Sequence, residues 1–421
     1  MNENQSRLAA FYILQGIILN DKTLMNAYNH FDLYEKLSDS DKQFCRLLVL
    51  TVLRRWGQLQ VFLKYFLSKP LPKKRQDILI ILCMGIAQIY YLKTPIYASV
   101  DTSVQLTRFI KQSSFSRLVN GVLRSFIRKM EDVPEPDVLC NLPKWLFDSW
   151  EKTYTLDEIR IFATSFLQEA PLDITAKSHP EQWADKWQGE VLATNTIRCA
   201  FQGNVALMDG YEAGEWWVQE ASASIPAQLF PDLVGKKVAD LCAAPGGKTA
   251  QMVVNGATVD AYDISENRLK RLNENMKRLK LEQNVQTVCQ DVLLLQDSDK
   301  YDAVLLDAPC SATGTIRRHP DLYFHRTQAD VIRLSRMQKS LLEQAVRLTK
   351  QNGYIVYSTC SLQVEENEDV VNAVLQKIPN LKRVFLPNKW QKYCNSQGAI
   401  QITPAFNQDG FYAVLLQKTV S

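Results

Sequence analysis

Residues 238–248 read Val-Ala-Asp-Leu-Cys-Ala-Ala-Pro-Gly-Gly-Lys, and this stretch decides the fold. The apolar run 238–241 predicts a strand. The strand must end at a turn, because Pro245 has no amide hydrogen and the glycines that follow it tolerate positive φ. Residues 250–254 can then begin a helix. Strand, glycine turn and helix are typical of a nucleotide-type α/β sheet, whose bare turn lets a ligand approach the backbone closely. A Walker phosphate loop is excluded, because Cys242 stands where that motif requires a glycine.

Four further strands are predicted, separated by helical patterns, and each leads into a polar or reactive group. In a doubly wound sheet such strand ends lie along one edge, where ligands bind. The sequence therefore predicts an α/β doubly wound fold with a ligand site at this edge. The strands and the groups that follow them are 258–262 with Asp263, 286–289 with Asp291, 301–306 with Asp307-Ala-Pro-Cys310, and 353–357 with Ser358-Thr-Cys360.

Three stretches carry a resemblance to a known family: 242–249, Asp307-Ala-Pro-Cys-Ser-Ala-Thr-Gly314 and Tyr357-Ser-Thr-Cys-Ser361. They resemble the RNA cytosine-5 methyltransferases of the NOL1/NOP2/Sun family, which use S-adenosylmethionine. The resemblance implies a seven-stranded, Rossmann-like methyltransferase domain over residues 216–421. Two strands predicted near the end of the chain, 381–386 and 411–417, would complete that sheet.

The N-terminal part, residues 1–131, is predicted to be an all-α bundle, because apolar residues recur there at three- and four-residue spacing. Residues 1–130 contain 19 Lys and Arg against 8 Asp and Glu, which gives +11, so a total of +4 leaves −7 for the remainder. A basic bundle joined to a nearly neutral catalytic part favours a polyanionic partner over a merely solvated helix surface. The segments 95–100 and 119–124 resemble the NusB-type RNA-binding domain, which indicates one branch of the methyltransferase family.

Between these two parts, an acidic, proline-broken linker is predicted over residues 131–137. The residues alone predict only a small mixed domain over 138–215. The family resemblance implies that it is an α+β subdomain that helps to bind RNA.

Methylation of cytosine at carbon 5 needs a nucleophilic thiol, because carbon 5 reacts with a methyl donor only after a thiolate has added to carbon 6. Cys310 and Cys360 are both candidates, and the chemistry of the residues does not choose between them. The alternative is that both are small buried core residues, the usual role of cysteine. The resemblance implies that Cys360 is the nucleophile and that Cys310 assists product release as a base or relay.

The resemblance also implies a cofactor site. Asp263 would accept from the ribose hydroxyls, Asp291 would lie near the adenine amine, and Asp307 would lie between cofactor and base, where a protonated carboxyl could bond cytosine N3. Lys248 would orient the base or lower a thiol pKa, although a surface lysine is the alternative. The turn whose backbone would wrap the methionine part comprises Cys242, Ala243, Ala244, Pro245, Gly246 and Gly247, and the residues expected to meet RNA phosphate are Arg317, Arg318 and His319.

Composition excludes several other classes. No stretch approaches twenty uncharged apolar residues, so no transmembrane helix is expected, and the N-terminus does not resemble a signal peptide. Nine scattered cysteines without a Cys-x-x-Cys pair, and only four histidines, predict neither a metal site nor a disulfide framework. We therefore expect a monomeric cytoplasmic protein that binds no metal.

Together these features predict a cytosine-5 methyltransferase of small-subunit (16S) rRNA, acting on naked or partly assembled RNA. The target, cytosine 967, comes from the activity named for the family and not from the chemistry. Because the base must leave its stack to reach a sheet edge, an unpaired cytosine is expected. The alternatives are a methyltransferase for tRNA or another rRNA site, and a non-catalytic NusB-like RNA-binding factor.

Overall fold

The computed structural model describes residues 4–29, 31–199 and 203–420. The chain forms two compact units. The first contains Met1–Glu169 together with Ile316–Thr327, and the second contains Ala170–Thr315 and Gln328–Ser421.

The helices and strands are numbered in chain order. Residues 4–169 contain α1 (Asn4–Asn20), α2 (Leu24–Asn29), α3 (Asp32–Glu35), α4 (Asp39–Arg54), α5 (Trp56–Phe66), α6 (Gln76–Ile86), α7 (Ile96–Phe109), α8 (Ser116–Lys129), α9 (Lys144–Trp150) and α10 (Leu156–Phe166). Residues 170–315 contain β1 (Leu172–Ala176), α11 (Pro180–Trp187), β2 (Glu190–Val191), β3 (Thr196–Cys199), β4 (Trp216–Val218), α12 (Ile225–Gln228), β5 (Lys237–Leu241), α13 (Gly247–Val254), β6 (Thr258–Asp263), α14 (Glu266–Arg278), β7 (Val285–Cys289) and β8 (Tyr301–Asp307). The remaining elements are α15 (Leu322–His325), α16 (Gln328–Leu348), β9 (Thr349–Thr359), α17 (Glu368–Lys377), β10 (Leu381–Arg383), α18 (Asn388–Gln391), β11 (Ile400–Ile402) and β12 (Phe411–Lys418).

All helices and no strands make up the regular secondary structure of the first unit's described residues, as the apolar spacing predicts. In α4 the buried residues Cys45, Leu48, Val49, Val52 and Leu53 recur at three- and four-residue intervals and form one face of the helix. That face joins a single apolar core shared with α1, α5, α6 and α8.

The first unit extends beyond the bundle predicted for residues 1–131. Helices α9 and α10 belong to it, and Trp150 packs edge-on against Phe162 with ring centroids 5.8 Å apart. The segment predicted as one small domain, residues 138–215, is thus divided between the two units. Polar contacts hold this part of the chain to the helical unit: Asn141 Nδ2 donates to Gln58 Oε1 of α5 at 3.0 Å, and Arg160 of α10 donates to Asp137 Oδ1 at 2.8 Å.

A small antiparallel sheet begins the second unit, with the order β2-β3-β1-β4. Residues 216–218, which the domain prediction assigns to the start of the methyltransferase domain, form β4, and β4 pairs with β1 through Ala176 opposite Trp216. Both Trp216 and Trp217 are buried, Trp216 in the core of this small sheet and Trp217 in a core of the large sheet.

The large sheet has the order β10-β12-β9-β8-β5-β6-β7, and β11 pairs with β12. Strands β5 to β9 are mutually parallel, whereas β12 runs antiparallel to β9 and β10. Their near-continuous apolar runs are explained by cores on both faces of the sheet. The predicted methyltransferase-type sheet is confirmed; β11 was not predicted. Since β5 to β9 are parallel, their carboxyl ends lie along one edge and position the site.

Candidate active site

The structure brings the two candidate cysteines together. Strands β8 and β9 are parallel neighbours in which Asp307 pairs with Ser358. The turns that follow these residues therefore meet, and the sulfur atoms of Cys310 and Cys360 lie 3.4 Å apart. Both cysteines are partly exposed, unlike Cys45 and Cys83 of the helical unit, which are core residues.

The two thiols form one hydrogen bond, in which either sulfur can be the donor. This bond and burial raise the pKa of Cys310 well above its usual range. The geometry lets one thiol pass a proton to the other, and the choice of Cys360 as the nucleophile stays a prediction from the family resemblance.

An ion pair lies beside the thiols. The Lys248 ammonium is 2.8 Å from Asp307 Oδ2, and Ser358 Oγ donates to Asp307 Oδ1 at 2.9 Å. Burial lowers the pKa of Lys248, but the acidic groups around it, Asp307 first and then Asp240, together more than offset this, and the net shift is upward. Lys248 is therefore held as a cation, and a thiolate at Cys360 would favour the cation further. Asp307 is an acceptor here, whereas the expected bond to cytosine N3 would require it to carry a proton.

The glycine turn forms one wall of a cavity of about 310 Å³. Gly246 has φ of 99°, and a Cβ there would lie 2.9 Å from the Leu272 side chain, so glycine is needed on both counts. Ala243 to Lys248, Asp240 and Asp307 line one side of this cavity, and the residues that face them include Tyr211, Trp217, Gln219, Glu220, Asn275 and Arg278.

Asp240, which the sequence analysis did not select, lies at the floor of this site. Its Oδ2 accepts from Thr249 Oγ1 at 2.6 Å, while Oδ1 is buried and has no hydrogen-bond partner among the described residues. Burial raises the pKa of Asp240 to about 7. The available signal was an acid inside an apolar strand, two residues before Cys242.

Cys242, the first residue of the predicted cofactor turn, has φ of 66° and packs against the apolar core of the sheet. Burial raises the pKa of its thiol to about 12. It therefore shapes the turn through its backbone and does not act as a nucleophile.

The two remaining acids predicted for the cofactor follow β6 and β7. Asp263 is buried, accepts from the Ser265 amide at 3.0 Å and pairs with Arg268 at 3.1 Å. Asp291 accepts from the Leu293 amide at 2.9 Å and caps a short helical turn. Their roles toward ribose and adenine stay predictions.

The three residues expected to meet RNA phosphate belong to the first unit and differ in exposure. Arg317 is 4% exposed, and its Nη2 donates to the Glu169 carbonyl at 2.9 Å. Arg317 therefore ties main chain together inside the helical unit, which corrects its expected role as a phosphate contact. Arg318 is half-buried and His319 is exposed.

Two kinds of feature are absent from the residues in the described ranges. No group of three or more His, Cys, Asp or Glu residues among them is placed to hold a metal ion. Within the same ranges, no helix has the length and apolar character needed to cross a bilayer.

Comparison with known proteins agrees with this architecture. Residues 231–417 match the model of the family described as 16S rRNA methyltransferase RsmB/F, and residues 4–128 match the NusB family. Ribosomal RNA small subunit methyltransferase B of Salmonella typhi is 31% identical over 99% of this chain and 99% of its own length. The protein of the same name from Cronobacter sakazakii is 30% identical over 92% of this chain and 93% of its own length.

The chain belongs to the RsmB/F family. It is an S-adenosylmethionine-dependent rRNA methyltransferase, and the expected fold and family are confirmed. Solved structures share the fold: that of PH0851 has a TM-score of 0.78 at 21% identity and covers 99% of both chains. A methyltransferase homologue from Pyrococcus horikoshii has a TM-score of 0.56 at 25% identity, over 67% of this chain and 98% of that one.

Proposed function

We propose that this RsmB/F-family enzyme methylates carbon 5 of an unpaired cytosine in 16S rRNA through a covalent adduct with Cys360. The observation that carries the proposal is the pair of sulfur atoms 3.4 Å apart at the ends of β8 and β9. One thiol is needed to add to the base and a second group is needed to release it. The target, cytosine 967, follows from the family resemblance.

The cavity residues fit S-adenosylmethionine. The turn presents backbone amides at the start of α13, where a carboxylate is favoured. The buried Oδ1 of Asp240 has no hydrogen-bond partner among the residues that the structure describes, and an amino group can supply one. Asp263, Asp291 and Asp307 would hold the rest. When bound, this group supplies an electrophilic methyl on sulfur.

Catalysis by the chain's own residues begins at Cys360. Its thiolate adds to carbon 6, and the bond between Cys360 Sγ and carbon 6 forms while carbon 5 becomes enamine-like. Lys248, held as a cation by Asp307, lies where it can stabilise the negative charge of the thiolate before attack. After methylation a base takes the carbon 5 proton, and the electron pair of that C–H bond restores the double bond between carbons 5 and 6. The bond from Cys360 Sγ to carbon 6 breaks, and its electron pair returns to the sulfur.

Cys310 fits this release step. Its sulfur lies 3.4 Å from that of Cys360, so a protonated Cys310 can give its proton to the Cys360 sulfur as that sulfur leaves carbon 6. The thiolate left on Cys310 is a strong base, because the pKa of Cys310 is raised. The two cysteines can thus exchange one proton between product release and the next attack.

Labelled S-adenosylmethionine with unmethylated 16S rRNA, followed by bisulfite sequencing, tests the proposal. A single new 5-methylcytosine at position 967 would establish the reaction and the position together. Incorporation at another rRNA cytosine or into tRNA would keep the chemistry and replace the target. Incorporation at any atom other than carbon 5 would overturn the cysteine mechanism.

A further inference from the structure

A buried carboxylate, Glu366, receives hydrogen bonds from both cysteine-bearing turns. Oε1 accepts from the Ser311 amide at 2.8 Å, and Oε2 accepts from the Ser311 hydroxyl and, at 2.5 Å, from the Ser361 hydroxyl. Ser311 directly follows Cys310, and Ser361 directly follows Cys360. One side chain therefore joins the residues next to both thiols.

Hydrogen bonds also connect Glu366 to α16 and β9 of the second unit. Gln338 of α16 donates to Glu366 Oε1 at 3.1 Å and to the carbonyl of Pro309, the residue before Cys310, at 2.8 Å. Tyr357 donates to the Glu366 carbonyl at 2.5 Å. Glu366 is completely buried, so its carboxylate is held by these partners and not by solvent.

We propose that Glu366 is the positioning residue that sets the distance between Cys310 and Cys360. This inference rests on the proposed function, because that reaction needs the two sulfur atoms close enough to exchange a proton. Ordinary core packing would explain burial of a leucine at this place, whereas a buried acid is tolerated only when donors converge on it. All four donors here come from the two turns and from the helix that supports the first of them.

The chemistry of the donors distinguishes two substitutions. At Oε1 both partners are N–H groups, which cannot accept, while at Oε2 both partners are hydroxyls, which can turn and accept. The glutamine of the Glu366→Gln variant can therefore place its amide oxygen where Oε1 accepts from the two N–H groups. Its amide nitrogen can then donate to the two hydroxyls that now bond Oε2, which preserves the link between the turns. Glu366→Ala removes the link entirely and leaves the Ser311 amide without this acceptor.

The test measures the sulfur distance directly in the full-length protein. Copper phenanthroline oxidises the thiols, and mass spectrometry follows formation of the Cys310–Cys360 crosslink over time. For Glu366→Ala we expect crosslinking about tenfold slower, as loss of a hydrogen bond to a charged group would give. We also expect kcat to fall about a hundredfold with unchanged affinity for S-adenosylmethionine, because misplacement by about 1 Å has that effect.

Controls separate positioning from general stability. Glu366→Gln should crosslink and turn over at close to the unsubstituted rate. Asp369→Ala, which removes an exposed acid from α17, the helix that follows Glu366 in the chain, should change neither rate. If Glu366→Ala does not fold, Ser361→Ala removes one hydroxyl donor and should slow crosslinking about threefold.

Unchanged crosslinking in the Glu366→Ala variant, or in Ser361→Ala where that is the variant that folds, would overturn the inference. Equal loss in Glu366→Ala and Asp369→Ala would do the same. Failure of the proposed function has a different readout, since the unsubstituted enzyme would then crosslink normally but make no 5-methylcytosine.

Discussion

The carboxyl ends of β8 and β9 differ from those of β6 and β7, although all four lie along one sheet edge. At β8 and β9 the side chains face each other, with two sulfurs 3.4 Å apart and a Lys248–Asp307 pair beside them. At β6 and β7 each acid bonds nearby backbone, Asp263 to Ser265 and Asp291 to Leu293. A strand end thus predicts where a group lies, but its partners decide whether it reacts or supports a turn.

The largest effect expected from this difference is at Cys360. Cys360→Ala should reduce methyl transfer by at least about four orders of magnitude, because the nucleophile that activates carbon 5 is lost. S-adenosylmethionine binding, measured by calorimetry, should be unchanged. The matched control is Cys289→Ala, which removes the exposed cysteine at the end of β7 and should leave turnover intact. Comparable turnover in the Cys360→Ala and Cys289→Ala variants would show that the ends of β8 and β9 do not differ catalytically from the ends of β6 and β7.

The next effect concerns release of the product. Cys310→Ala should leave the enzyme joined to RNA through Cys360, because the group that helps to expel this sulfur is missing. The adduct would appear as a shifted band on denaturing electrophoresis and should disappear in the Cys310→Ala, Cys360→Ala double variant. Free turnover by Cys310→Ala, with no shifted band, would remove its role in release.

A smaller effect, on the affinity for S-adenosylmethionine, distinguishes Asp263 at the end of β6 from Asp291 after β7. Asp263→Asn should weaken S-adenosylmethionine binding about tenfold, because a buried charged acceptor that also bonds the Ala244 amide is lost. Asp291→Asn should have a weaker effect, since its carboxylate is more exposed and an asparagine can still cap the turn. Titration calorimetry compares the two directly, and the reverse order would show that adenine contacts dominate.

The smallest effect is a change in stability with pH at Asp240. Its folded pKa of about 7 lies above the ordinary 3.8, so its contribution to stability is fully present below about 3.8 and is lost as pH rises through about 7. Asp240→Asn does not titrate. The melting temperature of this variant relative to the unsubstituted enzyme should therefore rise between about pH 4 and about pH 8. A constant difference, measured by calorimetry, would contradict the assignment.

Much of this arrangement could be read from the sequence, because strand ends of a parallel sheet share an edge. The pattern placed Cys310, Cys360 and Asp307 in one site and identified the glycine turn. It could not show that one oxygen of Asp240 has no hydrogen-bond partner in the described part of the chain, since that depends on which donors surround it. Nor could it show that Glu366 bonds both cysteine turns, because acids at the start of a helix are ordinarily explained by the helix dipole.

Arg317 illustrates the opposite error. A run of Arg317, Arg318 and His319 after a reactive motif predicts a phosphate contact from charge alone. In the structure the Arg317 guanidinium bonds the Glu169 carbonyl, and Arg54 donates to the Arg317 carbonyl at 3.1 Å. These partners lie 148 and 263 residues away along the chain, beyond the reach of any local pattern.

The segment Ile316–Thr327 limits how this chain can be divided into separately folding fragments. It begins six residues after Cys310, yet it is part of the helical unit, where Phe324 packs on Trp56 with ring centroids 5.9 Å apart and Asp321 accepts from the Leu24 amide at 2.9 Å. The polypeptide leaves the catalytic unit and returns to it within these residues. In the amino-acid sequence, a segment of the helical unit is therefore inserted within the catalytic unit, and the two units do not simply follow one another. A gene fragment starting at Ala170 would encode the segment Ile316–Thr327 without the helices against which it packs, so Phe324 would lose its contact with Trp56. We therefore expect that the helical unit cannot be removed without exposing apolar residues of this segment.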